Sequence, residues 1–456
     1  MNAVNRSDIF ETLPVRQAVC KQIVPAVVSQ MIALIYNLAD TYFVGMLNDP
    51  HQTAAITIAA PSFVMLTAIS NLFGVGGASA IARSLGKKQI LRAKQIASVS
   101  FWGGLFCACL FSLIFFTLSR PILFLSGATE ETYEITLGYA KYVVILGGPF
   151  TVLNTLLANL IRAEGRAGLA SFGVSLGGII NIVLDPLFVL PKFIGFGAIG
   201  AGMATALSNA AATIFFLAAL YHLRKTSVIH IEPQYLRFAK LHLKNILSVG
   251  FPSAVQYALT VVAIAAQAKF VSQYATEAVA ALGIVKKLDQ LPLYFSIGVS
   301  SGLLPLLAYN YAAGNQRRRQ QAFRFGCMIS LSFSLLCLIC YECFAPQLAA
   351  LFIEDETTII YSAGFLRRMV TAMPMMSLCY PLIIQFQAMG KVKESLITSV
   401  MRKGVLDIPL LFVMDRLMPL YGCMWVQPIV DSVSLIVAGS MYYRLKQKEN
   451  TISALD

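Results

Sequence analysis

Long apolar runs separated by short charged breaks cover nearly the whole chain. The first reads IVPAVVSQMIALIYNLADTYFVGML. A bilayer crossing needs about 20 mostly apolar residues, and this run is long enough. Setting the runs against the breaks predicts twelve helices, at about 20–46, 53–82, 95–119, 135–161, 167–190, 196–221, 245–272, 278–309, 322–344, 359–389, 395–414 and 420–443. The expected fold class is an all-α polytopic membrane protein.

The breaks alternate in charge. The loop after the second run carries Arg83, Lys87, Lys88, Arg92 and Lys94. The loop after the sixth carries Arg224, Lys225, Arg237, Lys240 and Lys244, and that after the eighth Arg317, Arg318, Arg319 and Arg324. The loops between these hold Glu130, Glu131 and Glu134, then Glu354, Asp355 and Glu356. Basic residues gather in cytoplasmic loops, so both termini are expected in the cytoplasm of a plasma-membrane protein.

Composition agrees: 57% of the 456 residues are hydrophobic and only 12% charged, against about 25% in soluble domains. The net charge of +13 fits cytoplasmic loops better than a nucleic-acid partner, and none is expected. The polar start of the chain lacks the pattern of a cleaved signal peptide. The nine cysteines are scattered. Cys337, Cys340 and Cys343 share one helix side, where packing suits them better than metal binding, because no histidine is near.

The chain repeats itself. KQIVPAVVSQMIALIYNLADTYFVG lies against SVGFPSAVQYALTVVAIAAQAKFVS, with Pro25 opposite Pro252. SLGKKQILRAKQ lies against AAGNQRRRQQAF, IRAEGRAG against FQAMGKVK, and LDPLFVL against LDIPLLFVM. These pairings place Gly86 opposite Gly314 and Gly165 opposite Gly390. The expected organisation is a six-helix bundle over 1–221, a linker loop at 222–244 and a second bundle over 245–456. Six spans per half keep the halves parallel, which suits a carrier with a central cavity and alternating access.

Asp40 is the only charged residue between Lys21 and Asp49. An acid inside a membrane helix costs roughly 2.5–3.5 kcal/mol by insertion scales, and its usual work is to take a proton, hold a cation or pair with a base. Tyr36 shares its helix face and Asn37 adjoins it. In the fifth run Asp185 stands alone between Arg166 and Lys192, with Asn181 one turn before it and Pro186 after. Thr205 sits in the outer portion of the sixth run. The first and fifth runs go outward and the sixth returns, so these groups are expected to converge in the outer half of the first bundle. Low dielectric and a neighbouring acid both disfavour the charged form of a carboxyl, so such a site takes and releases protons. The same oxygens suit sodium. The alternative is that both acids only accept hydrogen bonds that pin the bundle.

The second half departs from this plan, with Gln267 where Asp40 stands in the first. Its intramembrane charges are Lys286, Lys287, Asp289, Arg367, Arg368, Asp407 and Asp431. Lys286 and Asp289 are spaced to pair. Asp407 and Asp431 suit either a further ion site or neutralisation of nearby bases. Lys141 in the fourth run is expected to snorkel or pair.

The segments P…YNLADTYFVG, LFGVGGASAIARSLGKK, IRAEGRAG, NIVLDPLFVL and GFGAIGAGMATALSN resemble the multidrug and toxic compound extrusion (MATE) transporters. The first-span Asp and the Asn-x-x-x-Asp-Pro of the fifth look like the DinF-like and MepA-like prokaryotic members. The resemblance implies a V-shaped pair of six-helix bundles that exports cationic or amphipathic compounds against inward H+ or Na+. It implies a cation site at Asp40, Asn181, Asp185 and Thr205 with Tyr36 beside it, and a hinge at Pro25. It implies no cofactor beyond the coupling ion, and a monomer in the bilayer. The acids that the NorM-like branch carries in its seventh and tenth spans are absent: Gln256 and Gln267 stand in the seventh, and Met373-Pro374-Met375-Met376 in the tenth. The competing readings are a lipid-linked precursor flippase, a membrane enzyme and a passive channel. No P-loop and no nucleophile–base arrangement supports the enzyme.

Overall fold

The computed structural model describes residues 9–452, and all regular structure among them is helical. Residues 1–8 and 453–456, which include both expected cytoplasmic ends, lie outside the described residues. We number the membrane segments α1 (Val15–Gly45), α2 (Pro50–Gly86), α3 (Ile90–Thr117), α4 (Glu130–Ala140 and Gly148–Ala163), α5 (Ala167–Val189) and α6 (Gly197–His222). In the second half they are α7 (Ala239–Val271), α8 (Thr276–Ala312), α9 (Gln316–Ala350), α10 (Glu356–Met369 and Met373–Ala388), α11 (Val392–Val400 and Asp407–Leu417) and α12 (Gly422–Ile452).

Eleven of the twelve expected spans are long and apolar enough to cross a bilayer, counting α4 as one span bent by 47° at Gly147. A π-helical turn at Lys141–Leu146 precedes that bend, and Lys141 is exposed on it. The expected span at 395–414 departs from a straight helix. It breaks at Lys403 (φ −139°, ψ 99°) and Gly404 (φ 134°, ψ −72°), leaving two short helices. Gly404 supplies a backbone angle that a side chain disfavours. Breaks of this kind are tolerated at membrane depth only where they are covered by protein or line a cavity. Here the Gly404 N–H is taken up by Asp407 Oδ2 at 2.8 Å. By contrast α1 runs unbroken through Pro25 and α7 through Pro252.

The core divides into three parts. One apolar cluster joins both halves near the basic loops, including Phe73, Ile81 and Leu157 with Ile246, Leu303 and Phe386. Away from those loops the core splits. Val44, Leu66, Phe115 and Val152 belong to a cluster of the first half. Val271, Leu282, Phe365 and Met424 belong to one of the second. The halves are thus sealed at the basic face and packed separately at the other.

Small residues make the seal possible. A Cβ on Gly250 would lie 1.8 Å from the Leu72 carbonyl oxygen, and one on Gly76 would lie 2.1 Å from that of Ile246. Only glycine lets α2 and α7 approach so closely, the usual device for membrane helices, which have no hydrophobic drive between them. Gly298 and Gly302 do the same for α8 against Val27 and Gln22 of α1. Ser79 Oγ donates to the Gln387 carbonyl at 2.7 Å, and Arg83 Nη2 to Asn245 Oδ1 at 3.2 Å.

Candidate cation-coupling site

α1, α5 and α6 bring the sequence-selected groups together. Gly178 lets α5 lie close against α1, because a Cβ there would sit 2.7 Å from Ile32 Cγ2 and 3.2 Å from Tyr36 Cδ1. Asp185 is fully buried, with Asn181 and Thr205 nearly so. Asn181 Nδ2 is 3.5 Å from both Asp185 Oδ1 and Thr205 Oγ1. Asp40 is close enough to Asp185 and Asn181 to interact with both side chains. Tyr36 adjoins Asp40 and Asn37.

The hydrogen bonding is incomplete. Asp40 Oδ1, Asp185 Oδ2 and Asn181 Oδ1 are buried and have no hydrogen-bond partner among the described residues. Three acceptor oxygens without a donor between them are costly in a low dielectric. Two carboxylates facing each other add like-charge repulsion. A proton or a monovalent cation shared among these oxygens relieves both penalties, so the donor set fits either.

Sequence reasoning missed two features. Tyr139 of α4 is buried within electrostatic range of Asp40, Asp185 and Tyr36. A polar ladder also leads away from the site: Asn209 Nδ2 donates to the Thr205 carbonyl at 2.9 Å, and Asn154 Nδ2 to Asn209 Oδ1 at 2.8 Å. Neutral residues give no charge signal in an apolar run, although Asn154 and Asn209 could have been noticed as amides inside helices.

The second half uses its charges differently. Arg402 Nε meets Asp431 Oδ1 at 2.9 Å in a pair with almost no exposure, and Gln427 Nε2 donates to Asp431 Oδ2 at 2.8 Å. Arg402 also stacks over the Tyr380 ring at 4.2 Å. Asp431 is therefore neutralised, as one sequence alternative held. Lys286 and Asp289 make no ion pair, contrary to their spacing. Gln267 Nε2 donates to the Cys423 carbonyl at 2.9 Å, fastening α7 to α12 where α1 carries Asp40.

One family model, MatE, matches the chain twice, over residues 25–187 and 252–413. The chain belongs to the MATE family. Both matches open on the paired prolines, Pro25 and Pro252. The paired glycines Gly165 and Gly390 share a left-handed backbone, at φ 88° and 68°. Its family membership and its apolar spans make this a multi-pass membrane protein. The chain is 30% identical over 441 residues to a multidrug export protein MepA of Staphylococcus saprophyticus, and 29% to the MepA of Staphylococcus aureus strain MRSA252. In both cases 96% of each chain is covered. A solved outward-facing multidrug resistance MATE family transporter superposes with a TM-score of 0.91 at 23% identity, covering 99% of this chain and 100% of that one.

Proposed function

We propose that the protein is a secondary antiporter that exports cationic or amphipathic organic compounds in exchange for inward H+ or Na+. The observation that carries this reading is the set of unpartnered buried oxygens on Asp40, Asp185 and Asn181 beside Thr205. The coupling ion binds among these oxygens and removes the repulsion between the two carboxylates. Ion binding then changes how α1 packs on α5, and Pro25 serves as the hinge of α1. Alternating access is a rocking of the bundles over 1–221 and 245–456 about the glycine-lined seam. Positive-inside bias puts that seam and both termini on the cytoplasmic side. The seam would then be closed inward, in keeping with the outward-facing relative.

The driving force is modest. One charge crossing about 100 mV supplies ~2.3 kcal/mol. That supports roughly a 50-fold substrate gradient when the net cycle moves one charge. A monovalent cation exchanged for one proton gains only from the pH difference.

The test is efflux of an ethidium-type dye from vesicles reconstituted with the protein, with a pH or sodium gradient imposed separately. Dye efflux driven by one gradient and lost in Asp40→Asn and Asp185→Asn supports the reading. Downhill flux indifferent to both gradients would falsify it.

A further inference from the structure

We propose that the second half holds a copy of the first-half cation site in which lysine ammonium groups, Lys403 foremost, stand permanently in the place of the coupling ion. The inference rests on the reading that this ion binds among Asp40, Asn181, Asp185 and Thr205.

The repeat puts the two sites on equivalent helices. A small cavity inside the second half is lined by Gln267 of α7, Lys286 of α8, Lys403 at the break in α11, Asp407 just after it and Gln427 of α12. α7, α11 and α12 are the counterparts of α1, α5 and α6. Pro252 lies opposite Pro25, and the same offset sets Gln267 opposite Asp40. The match of LDPLFVL with LDIPLLFVM sets Asp407 opposite Asp185. Lys403 stands four positions before Asp407, as Asn181 stands four before Asp185. α12 supplies Gln427 where α6 supplies Thr205. An acid of the first set has thus become an amide, and an amide has become an amine. Lys286 adds a second amine from α8, whose counterpart α2 has no Asp, Glu, Lys or Arg before Arg83.

The two sites differ in charge balance. The first sets two carboxylates together, and α1, α5 and α6 bring no base to their depth. In the second, Arg402 and Asp431 pair with each other. That leaves Lys286 and Lys403 against Asp289 and Asp407, all within electrostatic range. The set is neutral as it stands, and a further cation would bring a net charge into a low dielectric, where it is costly. The hydrogen bonding agrees. Lys403 Nζ donates to Gln427 Oε1 at 2.6 Å, and Asp407 Oδ2 takes up the Gly404 N–H at 2.8 Å. No side-chain oxygen of Gln267, Asp407 or Gln427 is buried without a hydrogen-bond partner, in contrast to those of Asp40, Asn181 and Asp185. A tethered ammonium cannot leave. The second half therefore keeps its charge through the whole transport cycle, and the ion gradient acts on the first half alone.

Thermal unfolding of the purified full-length protein tests this, with sodium exchanged for choline at constant ionic strength and, separately, with pH lowered from neutral to mildly acid. Asp40→Asn with Asp185→Asn serves as the background, because it silences the first-half site. The parent should be stabilised by sodium or by acid, and that stabilisation should be lost in the background. Adding Lys403→Asn to the background takes one positive charge from the neutral set. It should restore stabilisation by the same ion, by about 2 °C or more. Lys403→Arg keeps the charge and should restore none. Gln267→Asp adds an acid with Lys403 in place; it should restore the response too, and it decides the matter where Lys403→Asn does not fold. A sodium response left in the background, or an acid response equal to the parent's, overturns the proposal, since the second half would then bind the ion itself. A Lys403→Asn or Gln267→Asp protein as unresponsive as the background also overturns it. A parent that responds to neither ion marks the failure of the first-half reading, and this inference falls with it.

Discussion

The Tyr309 hydroxyl donates to Glu11 Oε1 at 2.5 Å, joining residues 298 positions apart. Lys88 pairs with the same carboxylate from the first half, and Phe10 stacks on the Tyr309 ring at 4.9 Å. Arg318 Nε donates to the Phe10 carbonyl at 2.6 Å. The segment Ile9–Glu11 is thus a strap across the seam, tied to both halves.

The strap sets a pH window. The bonds from Lys88 and Tyr309 hold the Glu11 carboxyl below its ordinary 4.5, and Glu11 holds Lys88 above its ordinary 10.5. A lowered carboxyl contributes fully above its unfolded value and is lost as pH falls through the folded one. A raised amine contributes fully below its unfolded value and is lost as pH rises through the folded one. The strap should therefore be constant between these limits and loosen outside them. Spin-label distances across the basic face should widen at acid pH in the parent protein and stay flat in Glu11→Gln. An identical acid response in Glu11→Gln would remove Glu11 as the cause.

Thr205 separates the two coupling ions. A hydroxyl oxygen helps hold sodium but adds little to proton binding by a carboxyl. If sodium is the coupling ion, Thr205→Val should reduce sodium-driven dye efflux about ten-fold, the loss of one polar contact to a charge. Proton-driven efflux should change less than about two-fold on the same reasoning. Parallel loss under both gradients would show that the hydroxyl serves packing alone.

The Arg402–Asp431 pair should be worth far more broken than absent. Arg402→Met leaves a carboxylate buried without its cation, a loss of about 3–5 kcal/mol. Arg402→Met with Asp431→Leu should recover most of it, since a buried ion pair is often replaceable by apolar groups. Thermal unfolding in detergent reads both. Equal destabilisation of the single and double variants would contradict the argument.

Gly250→Val tests the seam. Even a Cβ at this position would stand 1.8 Å from the Leu72 carbonyl, so the two halves must part. The expected outcome is increased labelling of a cysteine introduced at Ile246, together with lost transport. Normal transport with an unlabelled seam would mean that α7 can shift without opening it.

Much of the candidate site was legible beforehand because charge inside an apolar run is conspicuous. Asp40 and Asp185 stand out in any reading of their spans, and helical spacing attaches Tyr36 and Asn181 to them. Tyr139 carries no such mark, and only the packing of the first part of α4 on α6 brings it near the carboxyls. Lys286 and Asp289 illustrate the opposite error: helical spacing permits a pair, but neighbouring helices decide where each side chain goes. Arg402 was visible as a charge inside an expected span, but its pairing with Asp431 was not, since the chain breaks where a straight span was expected.

By itself the sequence determined that this is a duplicated helical membrane protein, because bilayer thickness fixes the length of each apolar run and loop charge alternates with it. It also marked the acids of the first half. Only the tertiary structure decided which oxygens lack partners, which charges neutralise each other, and that the halves are sealed at the basic face. Those outcomes depend on approach distances of a few ångströms between helices, set by glycines and by breaks in α4 and α11, and no periodicity along one helix encodes them.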